Sequence, residues 1–224
     1  MFSNIIFDLD GTLIDSADDI IFYIKIAIEA FPELGKVNID RTEIGPPLRK
    51  IINNILPNIN EEIQRKIVDK FRKYYFGCDF ARTKLFDGVE RVLSHFSENG
   101  VDVYIATNKP LAPTKRILHK LNLTSIKQIV TVDCLAEQIL EKKNMINKII
   151  NDNDLQKEKV LMVGDSASDI NAAKENTIKS VAFLGGYGSK KELLLANPEY
   201  KIKNMIEIIS LLKSNEEEYE YSNF

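Results

Sequence analysis

The stretch Asn4-Ile5-Ile6-Phe7-Asp8-Leu9-Asp10-Gly11-Thr12-Leu13 decides how this chain is read. Its first four residues form an apolar run too short for a helix, which predicts a buried strand ending at Asp8. Two carboxylates then follow one residue apart. At a strand end they repel each other and lose solvation, so they persist if a divalent cation neutralises them or if one takes up a proton. Gly11 permits a sharp turn away from the strand. Two exposed acids in an ordinary turn would give the same letters, because Asp and Gly are common turn residues. The four fixed positions of Asp-x-Asp-Gly-Thr nevertheless arise by chance at a given start only about once in 10⁵.

Outward from this stretch the same pattern recurs. Val101–Ala106 is β-rich and ends at Thr107-Asn108, Lys159–Val163 ends at Gly164-Asp165, Ile129–Val132 ends at Asp133, and Ser180–Leu184 ends at Gly185-Gly186. Helical stripes lie between these runs: Val89, Val92, Leu93 and Phe96, stopping at Asn99-Gly100; Ile117, Leu118 and Leu121, after Pro110 and Pro113; and Met145, Ile146, Ile149 and Ile150. Alternating strand and helix signals predict an α/β fold, a Rossmann-like three-layer core whose parallel sheet is covered on both faces. In open parallel sheets ligands bind beyond the carboxyl ends of the strands. Asp8, Thr107 and Asp165 should therefore converge on one crevice.

Residues 16–82 break the alternation. Stripes at Ile20, Ile21, Ile24, Ile28 and Phe31, at Leu48, Ile51, Ile52 and Ile55, and at Ile63, Ile67, Phe71 and Tyr75 predict a small all-helical domain inserted after the first strand. The core is then discontinuous, 1–15 and 83–214, and 215–224 reads as an acidic, solvated tail.

The 224 residues carry 30 basic and 33 acidic side chains, a net charge of −3. That balance gives no footprint for nucleic acid or an anionic membrane surface. An acidic substrate would have to be met locally, by a metal or a few placed cations. Cys78 and Cys134 form no CxxC pair and read as free thiols. The start, Met1-Phe2-Ser3-Asn4, lacks a basic region and a long apolar run, so the expectation is a cytoplasmic protein without a signal peptide or membrane span.

A second acidic motif, Gly164-Asp165-Ser166-Ala167-Ser168-Asp169, follows another predicted strand. Asp169 could instead cap a helix beginning near Ile170. Four carboxylates at two strand ends on one exit face point to a metal, and hard oxygen ligands suit Mg²⁺. Thr107 would present a hydroxyl and backbone N–H groups to a phosphoryl oxygen. Lys142 or Lys143 could offset the charge of a nucleophile and a phosphate; helical phase favours Lys142, though adjacent lysines before a helix are usually solvated.

The order Asp8-x-Asp10-Gly-Thr, Thr107-Asn-Lys, Lys142 or Lys143, Gly164-Asp165-x-x-x-Asp169 resembles the haloacid dehalogenase-like hydrolase superfamily over all but the tail. Val163–Lys174 and Gly186-Tyr187-Gly188-Ser189 resemble its phosphoglycolate phosphatase branch, and the helical insertion is similar to that superfamily's cap. One departure is that Lys142 is followed by Lys143, Asn144 and Met145, where the phosphatase lysine is often followed by proline. The resemblance implies that Asp8 attacks phosphorus and becomes phosphoryl-aspartate, and that Asp10 serves as acid and then base. It implies Mg²⁺ between Asp8, the backbone carbonyl of Asp10 and Asp165, with Asp169 in or near the coordination shell. Thr107 and the lysine would hold phosphoryl oxygens, and Gly11, Thr107 and Asn108 would line the substrate site. A dehalogenase has no alkoxide to protonate and lacks the second acid, so the resemblance favours phosphatase chemistry on a small phosphorylated metabolite. Arg49 is the candidate for reading a substrate anion, unless it is a surface arginine of the cap helix. A phosphosugar mutase, a nucleotidase or sugar phosphatase, and a non-catalytic binding protein are the alternatives, with a monomer or a homodimer as the assembly.

Overall fold

The computed structural model describes residues 2–135 and 139–212; the expected acidic tail, 215–224, lies outside them. The chain opens with β1 (Asn4–Phe7) and the two-residue β2 (Ile14–Asp15). Three helices follow, α1 (Ala17–Glu29), α2 (Leu48–Ile55) and α3 (Glu61–Gly77), and then β3 (Lys84–Leu85). The rest alternates: α4 (Val89–Glu98), β4 (Asp102–Thr107), α5 (Leu111–Lys120), β5 (Gln128–Thr131), α6 (Lys142–Asp152) and β6 (Val160–Gly164). It finishes with α7 (Ala167–Glu175), β7 (Lys179–Phe183), α8 (Lys190–Leu195) and β8 (Tyr200–Ile202).

Six strands form one sheet in the order β5-β4-β1-β6-β7-β8, and every pairing is parallel. The chain builds outward from β1 through β4 to β5, then crosses back to add β6, β7 and β8 on the other side. Strand order therefore reverses at β1, which makes its carboxyl end the switch point where such sheets bind ligands. Phe7 is level with Ile105 on one side and Val163 on the other. That register brings Asp8, Thr107 and Asp165 to one edge of the sheet.

Alternation along the strands separates the two faces. Ile5 and Phe7 pack with Val89, Val92 and Phe96 of α4 and Ile117 of α5. Ile6, between them in sequence, packs with Met145, Ile146 and Ile149 of α6 and Ala172 and Ala173 of α7. Helices on both faces give the three layers and account for the nearly continuous apolar runs of the central strands.

Two local features differ from the sequence expectation. Helix α5 begins at Leu111, ahead of Pro113. Pro113 sits in the first turn, where its missing N–H has no intrahelical partner to lose. Strand β8 has only three residues, Tyr200-Lys201-Ile202, whose alternation is too short to signal a strand. Both cysteines are free, Cys78 buried and Cys134 half-buried.

Helices α1 and α3 pack together within residues 17–77. The chain enters this helical region through β2 and leaves through β3, which pair antiparallel with Ile14 opposite Leu85. Buried Asp19 of α1 accepts hydrogen bonds from the Arg82 amide (3.0 Å) and the Thr83 hydroxyl (2.7 Å), tying entry to exit. Arg116 and Lys120 of α5 donate to the carbonyls of Phe76, Cys78, Asp79 and Phe80, which follow or close α3. No helix among the described residues is long and apolar enough to cross a membrane.

Candidate active site

Three acids meet at the carboxyl edge of the central strands. Asp8, Asp165 and Asp169 are all buried, and each offers an oxygen within 4.8 Å of the others. Asp8 follows β1, Asp165 follows β6, and Asp169 lies in the first turn of α7. Asp165 is held from several sides. The Thr12 hydroxyl donates to Oδ1 (3.3 Å), and the amides of Tyr187 (2.8 Å) and Gly188 (3.1 Å) donate to Oδ2. Two glycines allow this close wrapping. Gly11 has φ +88°, and a Cβ there would stand 2.3 Å from Asp165 Oδ2; a Cβ on Gly186 would stand 2.2 Å from the Gly11 carbonyl oxygen.

Asp169 divides its two oxygens between two tasks. Oδ2 accepts from the Ser166 amide (3.1 Å) and hydroxyl (2.7 Å), which closes the start of α7. The helix therefore begins at Ala167, not near Ile170, and Asp169 reaches back to the cap instead of being it. Its other oxygen, Oδ1, is buried with no hydrogen-bond donor. Lys142 Nζ stands 3.0 Å away as its ion-pair partner.

Lys142 is the first residue of α6 and is buried. Its ammonium donates to Asp8 Oδ1 (2.7 Å) and to the Ala106 carbonyl (2.9 Å). Lys143 is half-buried and pairs with Glu141 and Glu175. Of the two lysines weighed from sequence, Lys142 is the one that reaches the acids.

Burial is the largest influence on Asp8 and pushes its carboxyl up to about 8; Lys142 opposes the shift, and Asp169 and Asp165 add to it. Asp165 is raised to about 6, by burial and then by Asp169, against the pull of the Gly188 and Tyr187 amides. For Lys142, burial disfavours the ammonium, but Asp169 and Asp8 outweigh it and hold the group above its ordinary value. Three carboxylates thus face one ammonium. The excess of two negative charges can be relieved by protons or by one divalent cation. Oxygen-only donors and the donor-less Oδ1 of Asp169 fit a hard cation better than a soft one.

Asp10 lies outside this acid cluster. Its carboxylate accepts from the Ser16 hydroxyl through Oδ1 and from Lys109 Nζ through both oxygens, at 2.9 and 3.1 Å. Lys109 is buried and also donates to the Tyr75 hydroxyl of α3 (2.7 Å). Thr107, at the end of β4, is buried, and its Oγ1 accepts from the Lys109 amide (3.1 Å). Asn108, between them, is half-buried. Arg49 is exposed on α2, and its side chain makes no ion pair among the described residues; its carbonyl accepts from Gln64 Nε2 at 3.4 Å. A cavity of about 520 Å³ opens elsewhere, lined by Asp79, Phe80, Lys115, Arg116, His119 and Lys120. Two of its cations are already committed to the backbone carbonyls after α3, and it holds none of the acids.

Sequence reasoning assigned no role to Lys109, although it lies within Thr107-Asn108-Lys109. It also gave Tyr187 and Gly188 no role toward Asp165. A glycine pair flanking a residue just after a strand was the available signal, because close backbone approach to a buried acid requires such residues.

The family model described as haloacid dehalogenase-like hydrolase matches residues 5–183. A phosphoglycolate phosphatase of Aquifex aeolicus is 26% identical over 216 residues, spanning 94% of this chain and 97% of that protein. A 5'-nucleotidase of Pseudomonas aeruginosa is 24% identical over 216 residues, spanning 96% and 97%. The crystal structure of a predicted phosphatase from Clostridium acetobutylicum superposes with a TM-score of 0.83 at 27% identity, covering 96% of this chain and 99% of that one.

Proposed function

The chain belongs to the haloacid dehalogenase-like hydrolases, and on that premise we propose that it is a Mg²⁺-dependent phosphatase that hydrolyses a small phosphomonoester through an aspartyl phosphate at Asp8. The observation that carries this reading is the buried group of Asp8, Asp165 and Asp169 around Lys142, with Asp8 Oδ1 2.7 Å from the ammonium. A carboxylate approaches a phosphate dianion only if its charge is offset; Lys142 supplies part of that offset. Mg²⁺ held by Asp8, Asp165, Asp169 and the Asp10 carbonyl would supply the rest by polarising the phosphoryl group.

The steps fall to named side chains. An Asp8 oxygen forms a bond to phosphorus while the ester P–O bond breaks in line. Asp10 gives its proton to the departing alkoxide oxygen. Asp10 then takes a proton from water, whose oxygen bonds to phosphorus as the bond to Asp8 breaks, releasing inorganic phosphate. Thr107, Asn108 and the turn at Gly11 bind phosphoryl oxygens, and Lys142 follows their developing charge. Residues 16–82 act as a cap that closes over the site and excludes water. Arg49, exposed and free of ion pairs among the described residues, is available to meet a substrate anion.

The relatives named above direct the choice of substrate toward a small metabolite such as 2-phosphoglycolate, with a nucleoside monophosphate as the second class. The test is phosphate release from a panel of about a hundred phosphoesters with Mg²⁺. Turnover of small phosphomonoesters, abolished by EDTA and restored by Mg²⁺, is expected. Phosphate release undiminished after rigorous metal removal would reject the metal dependence. A sugar phosphate converted to its isomer without free phosphate would make the protein a mutase, and no reaction anywhere on the panel would point to a binding protein.

A further inference from the structure

We infer that Lys109 and Tyr75 position the Asp10 carboxyl for proton transfer to the leaving group, so that the helical region acts on the chemical step as well as on substrate choice. The inference rests on the assignment of Asp10 as proton donor and adds two positioning residues behind it.

The geometry is specific. Lys109 Nζ lies 2.9 and 3.1 Å from the two oxygens of Asp10 and 2.7 Å from the Tyr75 hydroxyl. Its side chain is 3% exposed, so water does not replace a lost partner. An ammonium has three protons, and these three contacts can use all of them. Releasing one in a buried site costs the desolvation of that donor. The lysine is also fixed at its root, where its amide donates to Thr107 Oγ1.

Tyr75 belongs to α3, within residues 16–82. Its ring stacks on Phe71 with centroids 4.8 Å apart and meets Phe80 (5.3 Å) and Tyr23 (5.9 Å) edge-on. Lys109 Nζ stands 4.9 Å from the same ring centroid, which adds a cation–π attraction to the hydroxyl contact. The hydroxyl is thus presented by a rigid aromatic cluster of the helical region. Lys109 comes from the loop after β4. Asp10 is therefore gripped by a core lysine whose third bond is completed from the helical region. Lys109 makes no ion pair with Asp8, Asp165 or Asp169 among the described residues, so its ammonium is directed at Asp10 and not at the acid cluster.

A lysine that merely balanced the charge of Asp10 would affect all substrates alike. One that positions Asp10 lowers kcat/KM, which reports the steps through transfer of the phosphoryl group to Asp8, only where the leaving oxygen needs a proton; the later hydrolysis, where Asp10 acts as base for either ester, is read in kcat. The experiment compares kcat/KM for an alkyl phosphate with that for 4-nitrophenyl phosphate, whose phenolate departs unprotonated, in wild type, Lys109→Met and Tyr75→Phe. Lys109→Met should lower kcat/KM for the alkyl ester about 100-fold, within the range of general-acid contributions, and leave the aryl ester within about 3-fold. Tyr75→Phe keeps the ring and should lower the alkyl value about 10-fold, with the same sparing of the aryl ester. If Lys109→Met fails to fold, Tyr75→Phe carries the test alone. Equal losses on both esters, or no loss on the alkyl ester, would overturn the positioning role while leaving the phosphatase reading intact. The alkyl ester is one that the wild type turns over; a wild type inactive on every phosphoester of the panel would overturn that reading and this one together.

Discussion

Asp8 and Asp10 leave the same strand two residues apart, yet each is held by a different lysine from a different part of the molecule. Asp8 is bonded to Lys142 of α6, and the partners of that lysine, Ala106 and Asp169, also belong to the α/β layers. Asp10 is bonded to Lys109, whose remaining contact is Tyr75 of α3. One carboxylate is built into the rigid sheet edge, and the other is completed by the helical region. The difference matches the two tasks proposed for them. A nucleophile needs a fixed line of attack, while a proton donor gains from being set only when the site is closed and dry.

The largest predicted effect breaks the comparison at Asp8. Asp8→Asn should reduce phosphate release by about 10⁴-fold or more, as loss of a covalent nucleophile does, with folding retained in a melting curve. Substantial residual turnover, after exclusion of contaminating phosphatase, would remove Asp8 from the nucleophile role.

Next in size is Lys142→Met. It leaves three buried acids without their cation, and breaking such a pair typically costs about 3–5 kcal/mol. The variant should be poorly stable and lose most of its activity on alkyl and aryl esters alike, in contrast to the selective loss expected of Lys109→Met. Lys143→Met, half-buried in the same turn and turned away from the acids toward Glu141 and Glu175, should stay within about 0.5 kcal/mol of wild type by thermal melting. Similar losses for the two lysines would contradict the separation seen at Asp8.

That lysine pair also shows how far the sequence could be read. The strand ends were legible because a parallel sheet buries near-continuous apolar runs and stops them at polar residues, so Asp8, Thr107 and Asp165 could be placed on one edge. Helical phase was enough to favour Lys142, because only one face of α6 can meet the sheet. Lys109 was not legible. A lysine after a strand is usually solvated, and this one is buried by Tyr75, 34 positions away, and paired with Asp10, 99 positions away. Nothing local encodes either contact. Tyr187 and Gly188 were obscured in the same way, since their amides reach Asp165 only when the loop after β7 folds back. Asp169 as metal ligand and Asp169 as cap were alternatives in the sequence; in the structure Ser166 is the cap, Asp169 Oδ2 closes it from the first turn of α7, and Oδ1 stays among the buried acids.

The smallest effect concerns stability without metal. Asp8 and Asp165 are raised from an ordinary 3.8 to about 8 and about 6. Between those limits the folded protein keeps protons that the unfolded chain has released. Stability is then full in acid and falls as pH rises, because the unfolded state binds fewer protons than the native one. Asp165 and Asp8 both contribute to the fall up to about pH 6, and Asp8 carries the fall that continues to about pH 8. Metal-free wild type should therefore lose a few degrees of Tm, about 2–4 °C per kcal/mol, relative to Asp8→Asn as pH rises from about 6 to about 8. Millimolar Mg²⁺ should restore Tm more at the upper end of that window, where it no longer competes with the Asp8 proton. Tyr75→Phe, which alters only the grip on Asp10, should leave this pH dependence unchanged. Parallel melting profiles for wild type and Asp8→Asn across the window would mean that burial, with Asp169 and Asp165 beside it, does not hold a proton on Asp8, and the contrast between the two neighbouring acids would lose its electrostatic basis.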